Sequence, residues 1–272
     1  MKTKRWAMLA GGMMLLGLLL LATRVAAEDV GEICGNVLDD VAVAACTRAI
    51  RSGGHNAHRL AVLYGNRCAA YINNAKIDEA LSDCNQAIQF DPKNAVAYAN
   101  RCAAHINKGE TDQALSDCNK AIILDPKNAM AFHNRAAWYF AKGDYDRAIG
   151  DLDQALQIDP KNAMAFDSRG LGYAARSDYS RAIGDLDQAI QLDPKNATSY
   201  IGRCAARIKK GETDKALNDC NQAIQLDPNN AMAYANRCAA HINKGETDEA
   251  LSDCNKAILL DPNNAPTRFG YQ

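Results

Sequence analysis

The chain has 272 residues, 48% of them apolar and 23% charged, and its 31 basic groups nearly balance 32 acidic ones. This is the composition of an ordinary folded protein, not of a fibrous or disordered one. Nothing in the balance favours nucleic acid or an anionic membrane surface as a default partner.

At the start, Lys2, Lys4 and Arg5 precede an apolar run over residues 7–22, and Thr-Arg-Val-Ala-Ala follows. A basic start, an apolar middle and small residues at the exit predict a secretory signal peptide over residues 1–27, cut after Ala27. The run of 16 residues falls short of the roughly 20 that a membrane-spanning helix needs. Membrane attachment is therefore expected only if this segment stays uncleaved. Cleavage removes four basic groups and no acidic one, leaving 27 basic against 32 acidic, a net −5. The expected location is periplasmic or secreted.

From Ala61 onward the chain is periodic. Ala95–Asn128 returns as Ala231–Asn264 with four changes, Val96 to Met232, Gln113 to Glu249, Ile123 to Leu259 and Lys127 to Asn263. Looser copies begin at Ala61, Ala129, Ala163 and Ala197. Six 34-residue units thus run over 61–94, 95–128, 129–162, 163–196, 197–230 and 231–264, and a fixed period of this length signals a solenoid. Each unit packs on its neighbours, so no single central core is expected.

Within a unit, counted from its first Ala, position 4 is aromatic, position 8 small, positions 20 and 27 always Ala, and position 32 always Pro, from Pro92 to Pro262. The spacings 1, 4, 8, 11 and 20, 24, 27, 28 are helical. Gly at position 15 (Gly109, Gly143, Gly211, Gly245) is placed to stop the first helix. Asp-Pro stops the second, because the residue before Pro avoids helical dihedrals. Asn at position 34 is placed to cap the next helix. Each unit is predicted to be two antiparallel helices of about a dozen residues. Arg at position 7 and Asp at position 23 recur in all six units and lie nearly opposite in such a hairpin, which predicts an Arg–Asp bridge in each.

The period, the small and aromatic positions and the Asp-Pro-Lys-Asn-Ala linker resemble the tetratricopeptide repeat family, over about three quarters of the chain. The resemblance implies an all-α, right-handed α-solenoid. Two departures stand out: Arg at position 7, where the family often has Leu, and Cys at position 8, where it often has Gly.

Ten cysteines follow the same register. Eight occupy positions 8 and 24 of four units: Cys68 and Cys84, Cys102 and Cys118, Cys204 and Cys220, Cys238 and Cys254. The units that lack one lack both and carry Ala136 with Leu152 and Gly170 with Leu186. Joint presence and joint absence mean that the two positions touch, and after a signal peptide a touching pair reads as a disulfide. No Cys-x-x-Cys or nearby histidine pattern supports metal, and no cofactor is expected. Residues 42–50, Ala-Val-Ala-Ala-Cys-Thr-Arg-Ala-Ile, match a second helix, so residues 28–60 are read as a capping half-repeat and linker with Cys34 pairing Cys46. Residues 265–272 form a tail. Phe269 and Tyr271 are placed to fold back on the last helix, whose Leu259 and Leu260 otherwise offer a face for self-association.

A catalytic constellation is singular, whereas most polar residues here occur four to six times. No phosphate loop, nucleophile elbow or metalloprotease motif is present, and the expected function is non-catalytic. His105 and His241 at position 11 read as packing residues. The resemblance implies that first helices line a concave groove that holds extended segments of an envelope protein or peptide. Its expected ligand residues are Asn66, Asn100, Asn134 and Asn236, with His133, Phe140, Asp167 and Leu171. The cysteine-free units at 129–196 concentrate aromatics (Trp138, Phe140, Tyr145, Tyr173, Tyr179), which makes them the expected binding centre. Two rivals remain at this stage, a homo-oligomeric envelope scaffold and an enzyme or regulator using His133 and Asp167.

Overall fold

The computed structural model describes residue 34 and residues 40–262. The expected signal peptide, its cut and the fold-back of Phe269 and Tyr271 lie outside these residues. Thirteen helices are present among them, and no strand. They are α1 (Asp40–Ser52), α2 (Ala57–Asn73), α3 (Ile77–Phe90), α4 (Ala95–Lys108), α5 (Thr111–Leu124), α6 (Ala129–Ala141) and α7 (Tyr145–Ile158). The series continues with α8 (Ala163–Ala175), α9 (Tyr179–Leu192), α10 (Ala197–Lys210), α11 (Thr213–Leu226), α12 (Ala231–Lys244) and α13 (Thr247–Leu260). The described residues form two compact parts, divided between Asn134 and Arg135. Within each part a helix packs on its sequence neighbours, and consecutive first helices also touch.

The punctuation follows from local chemistry. Asn94, Asn128, Asn162, Asn196 and Asn230 each accept a backbone N–H from the first turn of the following helix, satisfying donors that the helix itself cannot pair. The Asp before each Pro adds a second device. Asp91, Asp125, Asp159, Asp193 and Asp227 accept the N–H two residues on, closing an Asx turn that commits the chain to leave the helix.

Between the helices of a hairpin the chain turns through the left-handed region. Gly109, Gly143, Gly211 and Gly245 have φ of 80°, 73°, 79° and 79°. The other two units make the same turn without glycine, at Ala75 (φ 55°) and Ser177 (φ 63°). A Cβ in this region costs about 1–2 kcal/mol, of which a more flexible unfolded chain takes back part. Ser177→Gly is therefore expected to raise stability by about 0.5–1 kcal/mol. A shift of the urea midpoint to higher concentration checks this, and a lower midpoint contradicts it.

The core is thin and small. Ala80, Ala87, Ala114, Ala121, Ala148, Ala155, Ala182, Ala216 and Ala223 are fully buried. Alanine at both positions lets the two helices of a hairpin approach closely, and that approach brings positions 8 and 24 together.

Candidate interaction surface

The structure joins the eight repeat cysteines as their register predicts, and Cys34 to Cys46 as expected of the capping segment. Cys68–Cys84, Cys102–Cys118, Cys204–Cys220 and Cys238–Cys254 bridge the helices of one hairpin with Cα separations of 5.4–5.7 Å, and Cys34 is joined to Cys46 of α1 at 4.8 Å. No cysteine is free. In the third and fourth units a buried leucine occupies the same gap. A Cβ on Gly170 would lie 2.8 Å from Leu186 Cγ, so Leu186 sits closer to its partner helix than an alanine at position 8 would allow without a shift. Five disulfides fit an oxidising compartment outside the cytoplasm. Among the described residues no helix is long and apolar enough to cross a membrane.

Beside each staple sits an ion-pair clamp. Arg67, Arg101, Arg135, Arg169, Arg203 and Arg237 each donate Nε and Nη2 to the two carboxylate oxygens of Asp83, Asp117, Asp151, Asp185, Asp219 and Asp253 at 2.6–3.0 Å. This is the bidentate geometry in which the guanidinium fork matches a carboxylate. The carboxylates are buried. The hydrogen bond to Asp117 is the main reason that the Arg101 guanidinium is held above its ordinary range.

The remaining edge of the fork reaches the preceding unit. Nη1 of Arg67, Arg101, Arg169, Arg203 and Arg237 donates to Thr47, Asn85, Asp153, Asp187 and Asn221 at 2.6–2.9 Å. One arginine thus ties three helices. A second set of contacts links position 14 of a first helix to position 18 of the preceding second helix: Asn74 with Asp40, Lys108 with Asp78, Arg176 with Asp146, and Lys244 with Asp214. Toward α2, α1 presents Asp40 and Thr47 as the second helices present their own residues. Single-sequence reasoning found the clamps but missed these junction contacts. The polar residue at position 25 of every unit was the available signal.

The expected ligand residues are placed as follows. Asn100, Asn134 and Asn236 donate Nδ2 to the carbonyls of Gly65, Ala99 and Ile201 in the preceding first helix at 2.9–3.3 Å. Asn100 is buried, while Asn134 and Asn236 are half-buried. Each carbonyl has a second lone pair beyond its helical bond, so these amides are struts between units. Asn66 is half-buried. Asp167 is buried and accepts from the buried Ser199 hydroxyl at 2.6 Å. His133 and Phe140 are half-buried, and Phe140 packs over Gly172. Leu171 is 39% exposed, its inner edge against Gly202.

The aromatics of the central units have intramolecular cation partners. Arg147 lies over Tyr139 at 4.7 Å, Arg181 over Tyr173 at 4.4 Å and Lys142 over Trp138 at 5.5 Å. His105 and His241 meet Glu110 and Glu246 at 2.6 Å. The hydrogen bond from His105, then that from Lys108, holds the Glu110 carboxyl below its usual range. Hollows beside these histidines are lined by Arg101, Asp112, Gln113, Ser116 and Asp117, and by their counterparts in the last unit. Among the described residues no group of three or more acids, histidines or cysteines is arranged to hold a metal.

Hairpins of one length, with one linker and a staple or leucine beside one clamp, define an all-α helical-repeat protein of the solenoid class. Models of the tetratricopeptide repeat match residues 95–128, 129–162 and 231–264, and a TPR repeat model matches residues 205–245. The chain is a member of the tetratricopeptide repeat family. No curated protein matches the sequence. Among solved structures it is similar to PilF of Pseudomonas aeruginosa (18% identity, TM-score 0.69, 78% of this chain and 97% of that one). It is also similar to a tetratricopeptide repeat protein of Parabacteroides merdae (23%, 0.59, 90% and 93%). A third is YrrB, a TPR protein with an unusual peptide-binding site (24%, 0.54, 66% and 93%). At these identities the likeness shows the fold. That fold is one of protein–protein interaction scaffolds, which as a class are non-catalytic.

Proposed function

We propose that this protein is a non-catalytic scaffold of the bacterial envelope, exported by residues 1–27, that holds extended peptide segments on the exposed faces of its first helices. One observation supports this reading above the others. The polar groups that recur in the units are consumed by the array itself, in clamps, junction bonds and struts, while apolar side chains on first helices stay open. In the part spanning residues 135–272, Leu171 and Ile242 are 39% and 41% exposed, and Met164 and Met232 are 65% and 52% exposed. Flexible methionine and aliphatic side chains accept varied partners. Half-buried Asn236, the counterpart of Asn134, borders this surface in the same part and can offer its amide oxygen to a passing backbone N–H.

The test uses the oxidised, mature protein and reduced, carboxymethylated lactalbumin as an extended probe. Binding is expected in the micromolar range, and Leu171→Glu with Ile242→Glu is expected to weaken it by about tenfold without changing the helical circular dichroism. Unchanged binding in the double variant contradicts the reading.

A further inference from the structure

The second helices of four units carry one shared face: Asp at position 18, Leu at 21, Asn at 25 and Ile at 28. It stands on α3 as Asp78, Leu81, Asn85 and Ile88, on α5 as Asp112, Leu115, Asn119 and Ile122, and on α11 as Asp214, Leu217, Asn221 and Ile224. In each of these cases a first helix follows. Where the contacts are resolved in full, they follow one pattern. On α3, Arg101 of α4 donates to Asn85 at 2.7 Å and Lys108 meets Asp78 at 3.0 Å. On α11, Arg237 of α12 donates to Asn221 at 2.7 Å and Lys244 meets Asp214 at 3.3 Å. The apolar residues between the polar ones go under the incoming helix, leaving Leu217 9% exposed.

α13 repeats the face a fourth time, as Asp248, Leu251, Asn255 and Ile258. No described residue covers it. Leu251 is 61% and Ile258 38% exposed, whereas Leu217, the counterpart of Leu251, is 9% exposed under its incoming helix. The neighbouring Leu259, expected from the sequence to mark an association surface, is not part of this face. Its counterpart Ile123 is equally exposed, at 73%, although a further unit follows it.

We propose that this face of α13 docks an amphipathic α-helix of a partner protein, one that carries an arginine and, seven residues later, a lysine or arginine beside small apolar residues. The internal junctions define that chemistry. The arginine meets Asn255, the second cation meets Asp248, and the small residues between them let the helix settle on Leu251 and Ile258. Two turns of helix separate positions seven apart, so both cations lie along the same side as the two acceptors.

The probe is a fluorescent peptide of residues 94–109 with Cys102→Ala, offered to the oxidised full chain. The isolated peptide must fold as it docks, so weak binding is expected, in the high-micromolar range. Leu251→Asp or Asp248→Lys is expected to lower the affinity about tenfold. Both sites are exposed, and unchanged circular dichroism shows that the variants fold. A Lys108→Glu peptide is expected to lose binding to the wild type and to regain it with Asp248→Lys. Absence of binding at roughly 1 mM peptide, or binding indifferent to both variants, overturns the proposal. Binding that appears only after residues 265–272 are removed gives the face to the chain's own tail and also overturns it. So does a self-association of the wild type that Leu251→Asp abolishes, which gives the face to a second copy.

Discussion

Replacing Arg101 with alanine is expected to lower the unfolding free energy by about 3 kcal/mol, the low end for breaking a buried pair. The substitution leaves the Asp117 carboxylate, with 7% of its side chain exposed, without its two best donors. It also frees Asn85 from the junction, so one change loosens a hairpin and its attachment to the unit before. The cost comes mainly from the stranded charge. Accordingly, the double variant Arg101→Met with Asp117→Leu, which removes both charges and keeps volume, is expected to recover most of the loss. Chemical denaturation of the oxidised protein measures both. A single-variant loss under about 1 kcal/mol, the range of exposed surface pairs, contradicts the clamp as a structural element.

The disulfides carry the second large effect. Each repeat staple joins residues 16 apart, and closing a loop of this length is worth about 3 kcal/mol in the chain-entropy account. Converting Cys102 and Cys118 to serine is expected to cost that amount or more, because two hydroxyls are left in a buried gap. Cys102→Ala with Cys118→Leu copies the Ala136–Leu152 solution of the third unit. It fills the gap with hydrocarbon and is expected to cost less than the serine pair, with the lost cross-link as its main term. The difference between the two pairs in denaturant midpoint separates packing from cross-linking. Equal costs would contradict this division.

These two features were legible in the chain for the same reason. Arg at position 7 occurs wherever Asp occurs at position 23, and Cys at 8 wherever Cys occurs at 24. Hairpin geometry alone puts each pair in contact. The turns were legible at four glycines but not at Ala75 and Ser177, which adopt the left-handed conformation because the hairpin requires it there and not because their own preference allows it. The candidate surface was harder to read. Asn100 and Asn134 look like open groove residues along one helix, and only the neighbouring first helix reveals the carbonyls they engage. Asp167 alone looks like a surface acid. Its partner Ser199 lies 32 residues away in the next unit, in a position that holds alanine in four units and Leu63 in the first, and nothing in either residue's own helix announces the pair. Contacts inside a repeat follow from periodicity, whereas contacts between repeats depend on how one hairpin lies against the next.

The account rests on hairpins closed within themselves, and peptide mapping by mass spectrometry of exported, unreduced protein tests it most directly. The predicted result is five linkages and no free thiol: Cys34–Cys46, Cys68–Cys84, Cys102–Cys118, Cys204–Cys220 and Cys238–Cys254. Linkages between cysteines of different hairpins, or reduced thiols in the exported chain, would contradict it.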